Sequence, residues 1–255
     1  MTSLVHYSVA GSVARLTLDS PHNRNALSTA LVEQLLQGFS DAAEEPGVRA
    51  VVLGHTGGTF CAGADLSEAA GQDPGDIAVD RAREMTKLLR AILELPIPVI
   101  GAIDGHVRAG GMGLVGACDL VVAGSQSTFA LTEARIGVAP SIISLTLLPK
   151  MSPRAAGRYF VTGEKFGAAE AAEIGLITMA ADDVADAVAA LAGEIAKGSP
   201  QGLATSKALT TASILRGFDE LAEGLTRQSA QLFVSDEARE GMMAFLQKRP
   251  PNWVG

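Results

Sequence analysis

Two short stretches of small residues follow apolar, strand-like runs. Phe60-Cys61-Ala62-Gly63-Ala64-Asp65-Leu66 comes after the run Arg49 to Leu53, and Ala109-Gly110-Gly111-Met112-Gly113-Leu114 comes after Val99 to Ile103. Both read as strand, loop and helix start. Such small side chains leave backbone N–H groups uncovered, and a helix N-terminus adds partial positive charge beside them. Two loops of this kind on adjacent parallel strands can each aim one N–H at a single oxygen, which is what an oxyanion hole requires. Taken alone, the first loop reads more simply as a tight strand-to-helix turn; the pair carries more information than either member.

A third station is Glu133, within Phe129-Ala130-Leu131-Thr132-Glu133-Ala134-Arg135-Ile136-Gly137. A carboxyl group among apolar and small neighbours has its pKa raised by desolvation, which suits a general acid or base. The simpler alternative is a solvent-facing glutamate paired with Arg135 or another neighbour. Gly111-Met112-Gly113-Leu114-Val115-Gly116 also fits the GxGxxG pattern of dinucleotide sites, with Glu133 near the spacing of a ribose-binding acid. The context argues against that pattern, because its glycines come several residues after the strand ends and no nucleotide-binding half precedes residue 99. Cys61 and Cys118 read as small buried thiols. His6, His22, His55 and His106 show no HExxH pairing, so no metal site is expected.

The elements that must position these residues form a repeat of about 50 residues. A hairpin, Tyr7 to Val9 and Val13 to Leu18, opens the chain. Ser28 is placed to N-cap a helix reaching Glu45, with Leu31, Leu35, Leu36 and Phe39 on one face. A helix from Ile77 to Glu94 separates the two small-residue loops, and a third strand, Leu120 to Ala123, precedes the Glu133 segment. Such a repeat implies mainly parallel sheet with helices outside it. Helices are predicted over Pro153–Thr162, Ala168–Glu173 and Asp182–Lys197. Past a boundary at Gly198-Ser199-Pro200, further helices are predicted over Leu203–Leu215, Phe218–Phe233 and Asp236–Lys248. The division expected is a core over 1–197 and a helical region over 198–255, whose helices bury too little apolar surface to stand alone.

Composition bounds the function. The 255 residues are 47% hydrophobic, enough for a substantial core, and 28 Asp+Glu against 20 Lys+Arg give a net charge of −8, which disfavours a broad nucleic-acid footprint. The N-terminus lacks the basic-then-apolar pattern of a signal peptide. The longest apolar runs fall short of the ~20 residues that span a bilayer. A soluble, cytoplasmic protein with no membrane partner is expected.

With these stations in order, the whole chain resembles the enoyl-CoA hydratase/isomerase, or crotonase, family. Arg24-Asn25-Ala26-Leu27, the 60–66 loop, Pro98-Val99-Ile100-Gly101-Ala102-Ile103-Asp104-Gly105, the 109–114 loop, Cys118-Asp119, Phe160-Val161-Thr162-Gly163-Glu164 and the segment Glu240 to Arg249 carry the likeness. It implies an α/β fold, a crotonase-like spiral of ββα repeats with a C-terminal helical oligomerisation region, assembled as a homotrimer or a dimer of trimers. It implies an acyl-CoA substrate and no cofactor beyond that coenzyme A. The N–H groups of Ala64 and Gly110 match the family's oxyanion-hole positions. Arg24, Ala26, Ala62, Asp65, Leu66, Gly111, Thr132 and Lys248 match substrate- and CoA-binding positions, Lys248 reaching in from a neighbouring subunit. Glu133 matches one of the two glutamates of the familiar hydratases.

The second glutamate position is Gly113, a departure that puts two-carboxylate hydration in doubt and suggests vacant space beside the substrate. The stretches Ala134 to Ser144 and Arg154 to Phe160 look like a branch acting on methyl-branched acyl-CoAs, such as 3-methylglutaconyl-CoA hydratases. The activity implied is hydration of a 2-enoyl-CoA with Glu133 as the single catalytic carboxyl. The alternatives are a Δ3,Δ2-enoyl-CoA isomerase and a catalytically weak acyl-CoA-binding protein.

Overall fold

The computed structural model describes residues 3–65, 68 and 74–255, with backbone alone for 74–77. Strands β1 (Val5–Ala10) and β2 (Val13–Leu18) form the expected hairpin. Helix α1 (Thr29–Glu44) starts where Ser28 accepts a hydrogen bond from the Leu31 N–H at 3.2 Å. Its stripe of Leu31, Val32, Leu35, Phe39 and Ala42 is buried. Then come β3 (Ala50–His55), β4 (Thr59–Cys61), α2 (Pro74–Glu94), β5 (Val99–Ile103), β6 (His106–Arg108), α3 (Gly110–Ala117), β7 (Leu120–Gly124) and β8 (Thr128–Ala130). After the turn carrying Glu133 follow α4 (Ser144–Leu147), α5 (Pro153–Thr162), β9 (Phe166–Gly167), α6 (Ala168–Glu173), β10 (Met179–Ala181), α7 (Val184–Ile195), α8 (Pro200–Phe233) and α9 (Asp236–Leu246).

The strands divide between two sheets. The larger has the order β1-β2-β3-β5-β7-β10, parallel from β2 onward. Its central strands are buried on both faces: the main core covers one, and Val188 and Ala192 of α7 cover Ala50, Val52, Ile100 and Val122 on the other. This explains why residues 50–53 read as an unbroken apolar run rather than an alternating one. The smaller sheet has the order β4-β6-β8-β9, with β4, β6 and β8 parallel. The units β3-β4-α2 and β5-β6-α3 and the pair β7-β8 each give one strand to each sheet, whereas β1 and β2 before α1 both lie in the larger one; this is the spiral repeat expected from the sequence.

Three differences from the sequence reading have simple physical causes. The small-residue loops do not follow β3 and β5 directly; each follows a three-residue strand of the second sheet, too short to show a period of two. Strands β9 and β10 went unread for the same reason. The two helices placed at Leu203–Leu215 and Phe218–Phe233 are one 34-residue helix, α8, which runs through Gly217. A helix interior tolerates a single glycine at a modest loss of stability, and Phe218 beside it is buried. Helix α8 packs along α2 of the same chain. No helix among the described residues is long and apolar enough to cross a membrane.

Candidate active site

The parallel order of β4, β6 and β8 decides where the chemistry sits. The loop 62–65 leaves the C-terminal end of β4, Ala109 and Gly110 leave that of β6, and Glu133 lies three residues beyond the end of β8. Neighbouring strands lie about 4.8 Å apart, so the three segments start within about 10 Å along one edge. That edge, outside the carboxyl ends of parallel strands, is where open α/β sheets bind ligands.

The two small-residue loops touch. Gly63 has φ +96, and a Cβ there would come within 2.7 Å of the Ala109 Cβ and 3.2 Å of the Gly110 nitrogen. Only glycine permits both that conformation and that approach. Along the first loop the N–H groups are mostly spent internally. Ala62 donates to the Arg24 carbonyl (3.1 Å), Gly63 to the Cys61 Sγ (3.4 Å) and Asp65 to the Leu27 carbonyl (3.2 Å). Among the described residues no acceptor meets the Ala64 N–H, and Ala64 is exposed. Gly110 is the first residue of α3, so its N–H has no carbonyl one turn back. Ala109 before it holds φ 46 and ψ −123, a strained backbone of the kind that persists where the surroundings fix it. The Ala64 and Gly110 N–H groups expected to meet an oxyanion thus have no backbone acceptor among the described residues, as is also true of the Gly111 N–H that follows in the first turn of α3.

Glu133 begins a 3-10 turn (Glu133–Ile136) and is 8% exposed. Its Oε2 is buried without a hydrogen-bond partner among the described residues. Burial pushes its pKa up to about 7, against a smaller opposing pull from its own backbone N–H. Arg135 does not pair with it; the guanidinium Nε donates to the Thr162 carbonyl at 2.9 Å. A desolvated carboxyl with one unpartnered oxygen and a pKa near neutrality can take up and release a proton at ordinary pH.

Gly113 is not the vacancy expected from its sequence. It is buried in α3, and a Cβ there would lie 2.5 Å from the Ile143 Cγ2 and 3.3 Å from the Leu89 Cδ1. The place of a second carboxylate is taken by hydrocarbon, which corrects the expectation of open space beside a substrate.

The remaining positions fall in three settings. Arg24 is exposed with φ 60, Ala26 is buried, and Asp65 accepts a hydrogen bond from the Asn23 side chain at 3.0 Å, so these gather beside the first loop. Gly111 is buried, and a Cβ there would meet Cys61 at 2.8 Å; Thr132 stands at the N-cap position of the Glu133 turn without a capping hydrogen bond from its side chain. Lys248 is exposed past the end of α9, and no hydrogen bond or ion pair ties it to the three loops among the described residues. Leu66 lies outside the described residues. No group of His, Cys, Asp and Glu among the described residues could hold a metal ion.

Sequence reasoning missed two supports. Asn25 is fully buried at φ 53; its Oδ1 accepts the Ser20 N–H, and its Nδ2 donates to the Thr56 and Thr59 carbonyls. It fixes the segment that carries Arg24 and Ala26 against β4. Ile143 fills the Gly113 site, but an isoleucine in an apolar run carries no signal of what it displaces.

A model of the enoyl-CoA hydratase/isomerase family matches residues 8–255, and the chain belongs to that family. It is similar to the crystal structure of an enoyl-CoA hydratase from Mycobacterium avium, with 66% identity, full coverage of both chains and a TM-score of 0.94. It is 31% identical to a carnitinyl-CoA dehydratase of Proteus mirabilis over the full length of both, and 32% identical to an enoyl-CoA hydratase of Mycobacterium tuberculosis, covering 95% of this chain and 93% of that one.

Proposed function

We propose that the chain hydrates a 2-enoyl-CoA to a 3-hydroxyacyl-CoA, with Glu133 as the single acid–base group. One observation carries this reading: a buried carboxyl with one unpartnered oxygen and a pKa raised to about 7 stands at the same sheet edge as two backbone N–H groups without a backbone acceptor among the described residues. Glu133 takes a proton from water as the water oxygen bonds to C3. The electron pair of the double bond moves to the thioester oxygen, where the Ala64 and Gly110 N–H groups stabilise the enolate. Glu133 then delivers its proton to C2. Water and proton add to the same face, so one carboxyl serves both steps. Arg24, Ala26, Ala62, Asp65 and Leu66 would hold the coenzyme A portion, and Lys248 would reach it from a neighbouring subunit. The exposed Met243, Phe245 and Leu246 at the end of α9 support a homo-oligomer in which the C-terminal region contributes contact surface.

A second reading is favoured by Ile143 and Leu89 at Gly113. A site with one carboxyl and hydrocarbon opposite suits moving a proton between C4 and C2 of a 3-enoyl-CoA, which needs no water. Incubation with crotonyl-CoA, a 3-enoyl-CoA and 3-methylglutaconyl-CoA, with products identified by mass spectrometry and chromatography, separates the readings. Addition of one water to crotonyl-CoA or 3-methylglutaconyl-CoA is expected. Conversion of the 3-enoyl-CoA to its 2-isomer without hydration establishes the second reading. Binding of all three without turnover defeats both.

A further inference from the structure

We infer that Gly241 is a positioning residue for the reaction: it lets α9 sit backbone to backbone on the turn that carries Glu133, so the C-terminal helix sets where that carboxyl stands. A Cβ at Gly241 would lie 2.5 Å from the Ile136 carbonyl carbon and oxygen and 2.6 Å from its Cα. The contact is reciprocal, since a Cβ at Gly137 would lie 2.5 Å from the Glu237 carbonyl carbon and 2.7 Å from the Ala238 nitrogen. All of these are backbone atoms, which cannot swing aside as the end of a long side chain can. Ala238, Gly241 and Ala244 form the buried side of α9, and a glycine in the middle of a helix weakens it. Close approach, not helix stability, explains the residue.

The turn passes this contact to Glu133. The Glu133 carbonyl accepts from both the Gly137 N–H and the Val138 N–H, the latter at 3.1 Å, so residues 133–138 move as one unit. The opposite side is held where Arg135 donates to the Thr162 carbonyl at the end of α5. The catalytic turn is thus gripped between α5 and α9, and only α9 belongs to the C-terminal region. This rests on Glu133 being the acid–base group, which is tested separately within the same series.

The experiment is steady-state kinetics of the full chain on crotonyl-CoA for Gly241→Ala, Ala238→Gly, Gly224→Ala and Glu133→Gln, with circular dichroism and thermal melting of each. Gly241→Ala is expected to lower kcat by about 10- to 10²-fold, the scale of a small misplacement of a reacting group. Its KM should stay within about twofold, because binding positions elsewhere are untouched. Ala238→Gly loosens the same contact and should lower kcat less, in the same direction; it decides the matter if Gly241→Ala does not fold. Gly224→Ala, where the new methyl meets nothing within 4 Å, should leave both constants unchanged. A folded Gly241→Ala with wild-type kcat, or one whose loss lies in KM alone, overturns the inference. So does a wild-type Ala238→Gly when Gly241→Ala is unfolded. An active Glu133→Gln instead overturns the assignment of Glu133.

Discussion

Among the described residues, two ionisable side chains are buried under opposite terms. Lys207 of α8 is 5% exposed, and its ammonium meets the Asp119 carboxylate at 2.8 Å and the carbonyls of Ile92 (2.8 Å) and Ile97 (3.1 Å). Asp119 also accepts the Val99 N–H at 2.8 Å. Glu133 is nearly as buried, yet its Oε2 has no partner among the described residues. Desolvation lowers the Lys207 pKa, and the Asp119 charge opposes that shift; at Glu133 desolvation dominates and carries the pKa to about 7. A paired buried charge fixes the end of one helix and the start of one strand against α8. One whose oxygen is unpaired is held in a state that costs stability, the kind of perturbed group on which the proposed proton transfer depends.

The largest expected effect comes from breaking the pair. Lys207→Ala should destabilise the fold by about 3–5 kcal/mol in urea titrations, because the half-buried Asp119 carboxylate loses its counter-charge and keeps only the Val99 N–H while the Ile92 and Ile97 carbonyls lose their donor, and folded enzyme should keep a near-normal kcat. Glu133→Gln should do the reverse, lowering turnover by at least about 10²-fold while leaving melting unchanged or raised. If Glu133→Gln melts far below the wild type, the carboxyl is a structural group. The pH dependence has a definite sign. Below the ordinary 4.5 the Glu133 proton is bound in folded and unfolded chains alike. Between 4.5 and about 7 only the folded chain retains it, so stability falls as pH rises, levelling above 7 at a loss on the order of 3 kcal/mol. The difference in stability between wild type and Glu133→Gln should follow that course, and kcat should titrate near 7. A flat difference across that window removes the raised pKa.

The contrast was only half legible in the sequence. Glu133 stood out because its apolar neighbours predict desolvation, and the glycines and alanines of the two loops announced uncovered N–H groups. Lys207 gave no signal: a lysine in a helix is ordinarily solvated, and its partner lies 88 residues earlier in the chain. The repeat of strand, loop and helix was readable from apolar runs, but the second sheet was not. Its strands β4, β6, β8 and β9 have two or three residues each, so they exist through tertiary pairing and not through local pattern. That sheet aligns the three segments, so the candidate residues and a shared oxygen for the two loops could be argued from sequence, while the strands that bring Glu133 to the same edge could not. Ile143 was illegible for a different reason, since a side chain that occupies another residue's place is visible only once both are located.

A smaller effect sharpens the comparison by adding a charge. Gly113→Glu places a second carboxylate on α3, but its Cβ enters the volume of Ile143 and Leu89. Overpacking of this kind costs about 1–3 kcal/mol. The variant should lose stability and activity on straight and branched enoyl-CoAs together, as measured by melting and by rates on crotonyl-CoA and a branched acyl-CoA. A stable variant with a raised ratio of hydration to isomerisation would show that the hydrocarbon can yield to a second acid–base group.

The smallest expected effect removes the pair as a whole. In Asp119→Asn with Lys207→Met, the asparagine still offers an oxygen to the Val99 N–H, and the methionine refills most of the lysine's volume. No buried charge remains unpaired, so the large penalty of either single change should disappear. What persists is the loss of one donor to the Ile92 and Ile97 carbonyls, about 1–2 kcal/mol, in the range of a buried polar group left unsatisfied. Urea titrations of the wild type, Asp119→Asn, Lys207→Met and the double variant form a thermodynamic cycle whose coupling reports the pair itself. The double variant is expected to be more stable than Lys207→Met, with kcat on crotonyl-CoA unchanged throughout. If the two single losses simply add, Lys207 and Asp119 act independently, and pairing is not what separates the structural buried charge from the chemical one.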